Sequence, residues 1–186
     1  MNKLVLAVIF MMSSVLIAGN DTLVRMYRPF TEGGAGSTLQ PEARISARCD
    51  TQSQQVKRED AWQCLSGDQR YDPCFVYPKT EGKVLVCPLS PWHSDATLID
   101  AMSLHSNRTF EGIDMNKGKP WAVELNDGLR CLAVEGQQAF RQHPVTFICR
   151  GNQMLLGKLH RCKSEWTVLW SDGEALDLRA VKEVWF

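Results

Sequence analysis

A chain of 186 residues with 21 basic and 21 acidic side chains has no surplus charge to bring to a nucleic acid or an anionic membrane. Its 44% apolar content is enough for a buried core, and seven cysteines in so short a chain point to disulfides and an oxidising compartment.

Lys3, the apolar run Leu4 to Ala18 broken by Ser13 and Ser14, and the small residues Ala18 and Gly19 have the form of an export signal cleaved before Asn20. The run is 15 residues long, short of the about 20 a spanning helix needs, and no cysteine ends it for lipid attachment. We therefore expect a periplasmic or secreted protein with no stable membrane span after cleavage. Removing residues 1–19 leaves 167 residues with 20 basic against 21 acidic side chains, a net charge of −1. The core of a chain this size should be reinforced by disulfides, not replaced by them.

Residues 20–44 read as an N-terminal segment and flexible linker. Gly33, Gly34, Gly36 and Ser37, followed by Pro41, offer little to pack. A single domain is expected from near Ile45 to Phe186, with lobes of about 45–105 and 106–186. Between Cys49 and Cys87 apolar runs are brief and broken at Ser66-Gly67-Asp68, Asp72-Pro73, Tyr77-Pro78 and Glu81-Gly82, which predicts a loop-rich lobe. Phe75 to Tyr77 and Lys83 to Cys87 are the expected strands there, joined as a hairpin. From Asp95 to His105, Leu98, Ile99, Met102 and Leu104 fit neither helical nor strand periodicity.

Beyond Pro120 the pattern sharpens. Trp121 to Leu125, Asn126-Asp127-Gly128 and Leu129 to Val134 predict a β-hairpin whose glycine supplies a positive φ. Short strands follow at Val145 to Cys149, Met154 to Leu156, Trp166 to Trp170 and Val181 to Phe186. Strand alternation puts Trp166, Val168 and Trp170 on one face. The fold class expected is mainly β, a small disulfide-stapled barrel or sandwich.

The cysteines fall into sequence neighbours: Cys49 with Cys64, Cys74 with Cys87, and Cys131 with Cys149, separated by 15, 13 and 18 residues, with Cys162 left over. Six cysteines allow 15 connectivities, so neighbour pairing is one proposal among them. It has a physical motive where Cys74 and Cys87 flank an expected hairpin and where Cys131 and Cys149 lie on successive strands. No C-x-x-C and no H-x-x-x-H occurs, so neither a zinc site nor any other cofactor is expected.

The unpaired thiol raises a catalytic alternative: on a strand, His160 and Cys162 would share a face, and an imidazole beside a thiol favours the thiolate. No third orienting residue is evident. A dimer bridged through Cys162 is another option. Glu111 and Asp114 are three apart, a spacing open to a general acid and base pair, yet nothing beside them marks a cleft. Trp92 and His93 after Pro91, with Trp121 after Pro120, could offer a stacking surface for a glycan or peptide. Asn107-Arg108-Thr109 matches an N-glycosylation acceptor, which matters only in a eukaryotic host. Val184-Trp185-Phe186 resembles the closing strand of an outer-membrane β-barrel, although the Cys49 to Cys87 region lacks the alternating strands of about ten residues such barrels need.

Asp60-Ala61-Trp62-Gln63-Cys64, then Tyr71-Asp72-Pro73-Cys74-Phe75, then Pro120-Trp121-Ala122-Val123-Glu124-Leu125 with Gly128 and Cys131 form a series of motifs. In these the chain resembles a group of uncharacterised secreted, cysteine-rich bacterial proteins, frequent in actinobacteria. The likeness runs from Cys49 to Phe186 and implies the three cysteine pairs above. Cys162 lies outside the pattern, and the group supplies no activity. The resulting expectation is an exported, non-enzymatic binding protein of the cell envelope, an inhibitor or immunity-type protein being one version, whose partner is an envelope or secreted protein. A thiol-dependent hydrolase or redox protein using Cys162 with His160, and a small outer-membrane barrel, are the alternatives.

Overall fold

The turns expected at Ser66-Gly67-Asp68, Tyr77-Pro78 and Glu81-Gly82 are reversals of an almost wholly β structure, whereas Asp72-Pro73, expected as a break, lies within the strand Gln69–Val76. The computed structural model describes residues 21–31, 34–35, 39–105, 113–136 and 138–186. The expected export signal, the glycosylation motif and Glu111 lie outside them.

Three short strands come first: β1 (Leu23–Arg25), β2 (Phe30–Thr31) and β3 (Gly34–Ala35). A first barrel follows from β4 (Gln40–Gln52), β5 (Ala61–Ser66), β6 (Gln69–Val76), β7 (Val84–Pro88) and β8 (Asp95–Ser103). Each strand is antiparallel to the next. Five alternating strands leave the first and last pointing the same way, so closure needs a parallel pair. β4 and β8 make it, from Gln40 beside Asp95 to Arg48 beside Ser103.

The second barrel takes β9 (Ala122–Leu125), β10 (Arg130–Ala133), β12 (His143–Cys149), β13 (Met154–His160), β14 (Trp166–Ser171) and β15 (Leu176–Trp185). Its strand number is even, so closure is antiparallel, with β15 beside β9. The two-residue β11 (Ala139–Phe140) pairs with the start of β12. Gly128 has φ +83° in the β9–β10 turn, where the sequence places its hairpin glycine.

The three disulfides join sequence neighbours, Cys49–Cys64, Cys74–Cys87 and Cys131–Cys149. In the first barrel they exceed the reinforcing role expected of them. Its interior consists of Ala47, Cys49, Trp62, Cys64, Cys74, Leu85, Cys87 and Ile99, so four of the eight buried residues are half-cystines. A five-stranded barrel has little interior volume, and sulfur supplies half of the filling. The bridge in the second barrel spans directly opposed residues of β10 and β12, within a core that also holds Phe147, Leu155, Trp166, Val168, Trp170 and Val181.

The outer face of the first barrel is buried too. Ala61, Phe75, Val86 and Ala96 point away from its interior and share one apolar cluster with Trp121, Trp185 and Phe186 of the second barrel. Leu98 packs on the same cluster while Ile99 faces the first barrel's interior. Strands covered on both faces lose their polar alternation, which is why the Asp95 to His105 stretch reads ambiguously although it holds the nine-residue β8. The same holds for β5, where Ala61 faces the seam and Trp62 the first barrel's interior.

The stretch 20–44, expected as an N-terminal segment and flexible linker, carries strand pairing at both ends. β1 runs parallel to Glu183–Trp185 of β15, continuing the wall beyond the start of β14. Thr22 Oγ1 donates to Val181 O at 2.6 Å and accepts from Trp166 N at 2.8 Å. Tyr27 N donates to Phe186 O at 2.8 Å, and the Tyr27 ring wedges between Phe75 and Trp121 at centroid distances of 5.4 and 5.3 Å. Burial there pushes the Tyr27 hydroxyl up to about 12. Strand β4 begins at Gln40, five residues before the expected start at Ile45. Glycine content signals freedom locally, but strand pairing and one aromatic side chain override it at both ends.

Replacing Cys131 and Cys149 by alanine should destabilise the protein by about 3 kcal/mol, the chain-entropy value for a loop of this length. Denaturant titration of the double variant checks this.

Candidate functional site

Among the described residues, those singled out in the sequence do not converge. His160 is the last residue of β13 and Cys162 lies beyond it, so the two do not share a strand face as a catalytic pair would. Cys162 is a free, exposed thiol, and neither side chain has a hydrogen-bonding partner among the described residues. Arg161 between them turns inward. It donates to the backbone oxygens of Met115, Asn116 and Gly118 and stacks on Trp166 with its guanidinium 4.5 Å from the ring centroid. Burial holds this guanidinium below its ordinary pKa. Asp114 caps its own turn by accepting from Asn116 N at 2.9 Å.

The expected Trp92, His93 and Trp121 surface does not form. Trp121 is 1% exposed, sealed between the barrels against Tyr27 and Phe75. Trp92 and His93 share the β7–β8 loop, where the Ser90 hydroxyl contacts His93 Nδ1 at 2.6 Å and accepts from Trp92 N at 3.3 Å. Although a serine beside a histidine is the start of a nucleophilic pair, Ser90 is buried and tied into its own turn, where it shapes the loop.

That loop docks the first barrel on the second. Trp92 meets Trp185 edge-on at 4.9 Å, and the Arg130 guanidinium lies 5.4 Å from the Trp92 ring centroid. Arg130 is held in place by Glu124, whose side chain is only 6% exposed: Arg130 Nε donates at 2.9 Å, and Lys182 Nζ donates to the other carboxylate oxygen at 2.6 Å. Burial opposes ionisation of Glu124, but the Lys182 ammonium and the Arg130 guanidinium outweigh it and hold the carboxyl below its ordinary value of 4.5. A carboxylate so paired stays ionised and positions its partners; it is not poised to exchange a proton. Asp72 is the opposite case, raised by burial although Ser53 Oγ and Gln54 N donate to it, and it anchors the loop after β4.

An open concavity remains, on the outer face of the second barrel. It encloses about 550 Å³ and is lined by Gln138, Ala139, Phe140, Val145, Ile148, Gly151, Asn152, Gln153 and Met154. None of these side chains ionises. One wall is the β11–β12 hairpin, in which Phe140 opposes His143 across the two-residue turn Arg141-Gln142. Both turn residues have positive φ, +46° and +68°, as a type I′ turn requires, although neither is the glycine or asparagine such turns prefer. Arg141 secures the tip by donating to Glu174 O at 2.8 Å in the β14–β15 turn. The opposite wall is the β12–β13 turn, closed by Cys149 N donating to Gln153 O at 3.0 Å. Gln153 Oε1 in turn accepts from Trp170 Nε1 at 3.1 Å.

Sequence reasoning missed this groove, although a signal was present. Met154-Leu155-Leu156 are consecutive apolar residues on one strand, which must place at least one of them outward. Among the described residues no three metal-ligating side chains come together, and no helix is long and apolar enough to cross a membrane. In comparison with known proteins, no family model, no curated protein and no solved structure matches the chain. What the fold defines is a double-barrelled, all-β protein whose three disulfides mark an oxidising, extracytoplasmic environment.

Because the Glu124 pKa is depressed in the folded state, its stabilisation is complete above the ordinary value and is lost as pH falls through the folded one. Glu124→Gln should lower the melting temperature at neutral pH and flatten its decline between about pH 5 and pH 3. Melting curves of both proteins across that range make the comparison. Gln142→Gly relieves a left-handed residue and should stabilise the fold by about 1 kcal/mol in a denaturant titration.

Proposed function

We propose that this chain is an exported, non-enzymatic binding protein of the bacterial cell envelope, periplasmic or secreted, that engages another protein through the groove on its second barrel. An inhibitor or immunity-type role fits this reading. The observation that carries it is the groove itself: an apolar concavity with amide groups at its edge and no ionisable lining residue, set on a rigid barrel wall. Such a surface can desolvate an apolar side chain and orient a backbone, yet it holds no group to move a proton or attack a carbonyl. The export signal read at residues 1–19 and the resemblance to secreted bacterial proteins support the envelope setting.

The two alternatives receive less support. A thiol hydrolase needs Cys162 beside a base, whereas His160 is on the strand and Cys162 in the loop. An outer-membrane barrel carries a polar interior inside an apolar band, whereas these barrels are filled with Leu85, Ile99, Leu155 and Val168.

A photoreactive residue at position 148 should crosslink, in the producing cell, to one envelope protein, and Met154→Glu should abolish that product. Purified protein should not hydrolyse peptidoglycan or peptide substrates. Turnover that a single substitution removes would overturn the reading.

A further inference from the structure

We infer that the groove is a docking cleft for an acidic protein segment carrying an apolar anchor. This deepens the binding role proposed above and rests on it. The apolar part follows from the register. Across the outer wall Val145 lies beside Leu156, Leu156 beside Leu169, and Leu169 beside Leu178. In the adjoining row Leu132 lies beside Ile148 and Ile148 beside Met154. Ile148 in the groove is 45% exposed and Leu178 at the far end 58%. Four neighbouring strands span about 14 Å. Val145 and Leu156 are buried at 8% and 1% exposure and form the floor, so the apolar surface open to a partner is Ile148 in the groove with Leu178 beyond it, a spread that suits a protein segment better than one small ligand.

The acidic part follows from the rim. Arg141 stands on the turn that forms one wall and Arg150 on the turn that forms the other, adjoining the lining residues Phe140 and Gly151. Neither has a carboxylate partner among the described residues. The Arg141 guanidinium lies 5.2 Å from the Phe140 ring centroid and binds only a backbone oxygen, that of Glu174. Among the described residues the Arg150 side chain makes no ion pair or hydrogen bond. His143 is exposed beside Arg141. Glu135 pairs with Arg70 at 3.0 Å, and Asp172 accepts from the N–H groups of Glu174 and Ala175. Glu174, whose backbone oxygen Arg141 holds, makes no ion pair among the described residues. A segment that seats an apolar side chain over Ile148 and places carboxylates to either side meets both arginines, which an uncharged or basic segment would leave unpaired. The fixed Arg141-Gln142 turn sets the wall in advance, so little ordering cost falls on binding.

The test titrates the purified exported protein with a fluorescent dodecapeptide bearing a central Phe-Leu pair flanked by glutamates, and with its glutamine counterpart, read by anisotropy. The glutamate peptide should bind about tenfold more tightly at low salt, and the difference should shrink as salt screens the arginines. Arg150→Gln, which removes no contact of the fold, should cost about five-fold in glutamate-peptide affinity with the melting temperature unchanged. Ile148→Glu should abolish binding of both peptides. Equal affinities for the two peptides, or an unaltered Arg150→Gln, overturns the inference. So does binding to phosphatidylglycerol vesicles in place of the peptide, which would assign the cleft to a membrane surface. The crosslink at position 148 separates the two levels: a captured envelope protein with an unbound glutamate peptide defeats the acidic assignment alone, and failure of both defeats the binding role as well.

Discussion

The structure depends on the apolar seam between the two barrels. Phe75 and Val86 leave the first barrel's interior to the disulfides and turn outward against Trp121 and the Tyr27 ring. Either barrel alone would expose that seam to water. Arg58 fastens its edge, donating to the backbone oxygens of Tyr27 and Phe186 while its guanidinium covers the Phe75 ring at 5.0 Å. The seam is therefore hydrophobic at its centre and hydrogen-bonded at its margin, the arrangement of a permanent interface. It also explains how a barrel whose core is half sulfur can be stable, because much of its apolar burial lies on its outside.

What the sequence made legible follows this division. In the second lobe, inward residues such as Trp166, Val168 and Trp170 alternate with less buried neighbours, and the strands and the Gly128 turn can be read directly. In the first lobe β8 places Ala96 and Leu98 on one buried face and Ile99 and Ala101 on the other, so no period appears. The bridges were legible because neighbour pairing needs only adjacent strands. The fate of Trp121 was not: a tryptophan after a proline looks the same in sequence whether it lines a surface or a seam. The groove lay further from reach, since it is made of outward positions brought together by cross-strand register, and register is a property of pairs of strands.

The ionisable groups of the interior have structural work. Glu124 fixes the arginine that covers Trp92, Asp72 ties down a loop, and Arg161 binds three backbone oxygens. Each of these charges is matched by partners, whereas the groove on the second barrel is lined without charge. Rigidity and recognition are thus separated: charges hold the frame, and an apolar wall with arginines lacking carboxylate partners at its rim faces outward.

Strand β1 has a consequence for the order of events in folding. It completes the wall of the second barrel by pairing with residues that follow it by about 160 positions, as Arg25 and Glu183, 158 apart, illustrate. The cysteines of each bridge are only 18, 15 or 13 residues apart. Local loop closure is fast and distant closure slow, so on an oxidising side of a membrane each hairpin can be bridged before its barrel is sealed. The chain would then assemble from pre-linked ribbons, with its first strand laid down last.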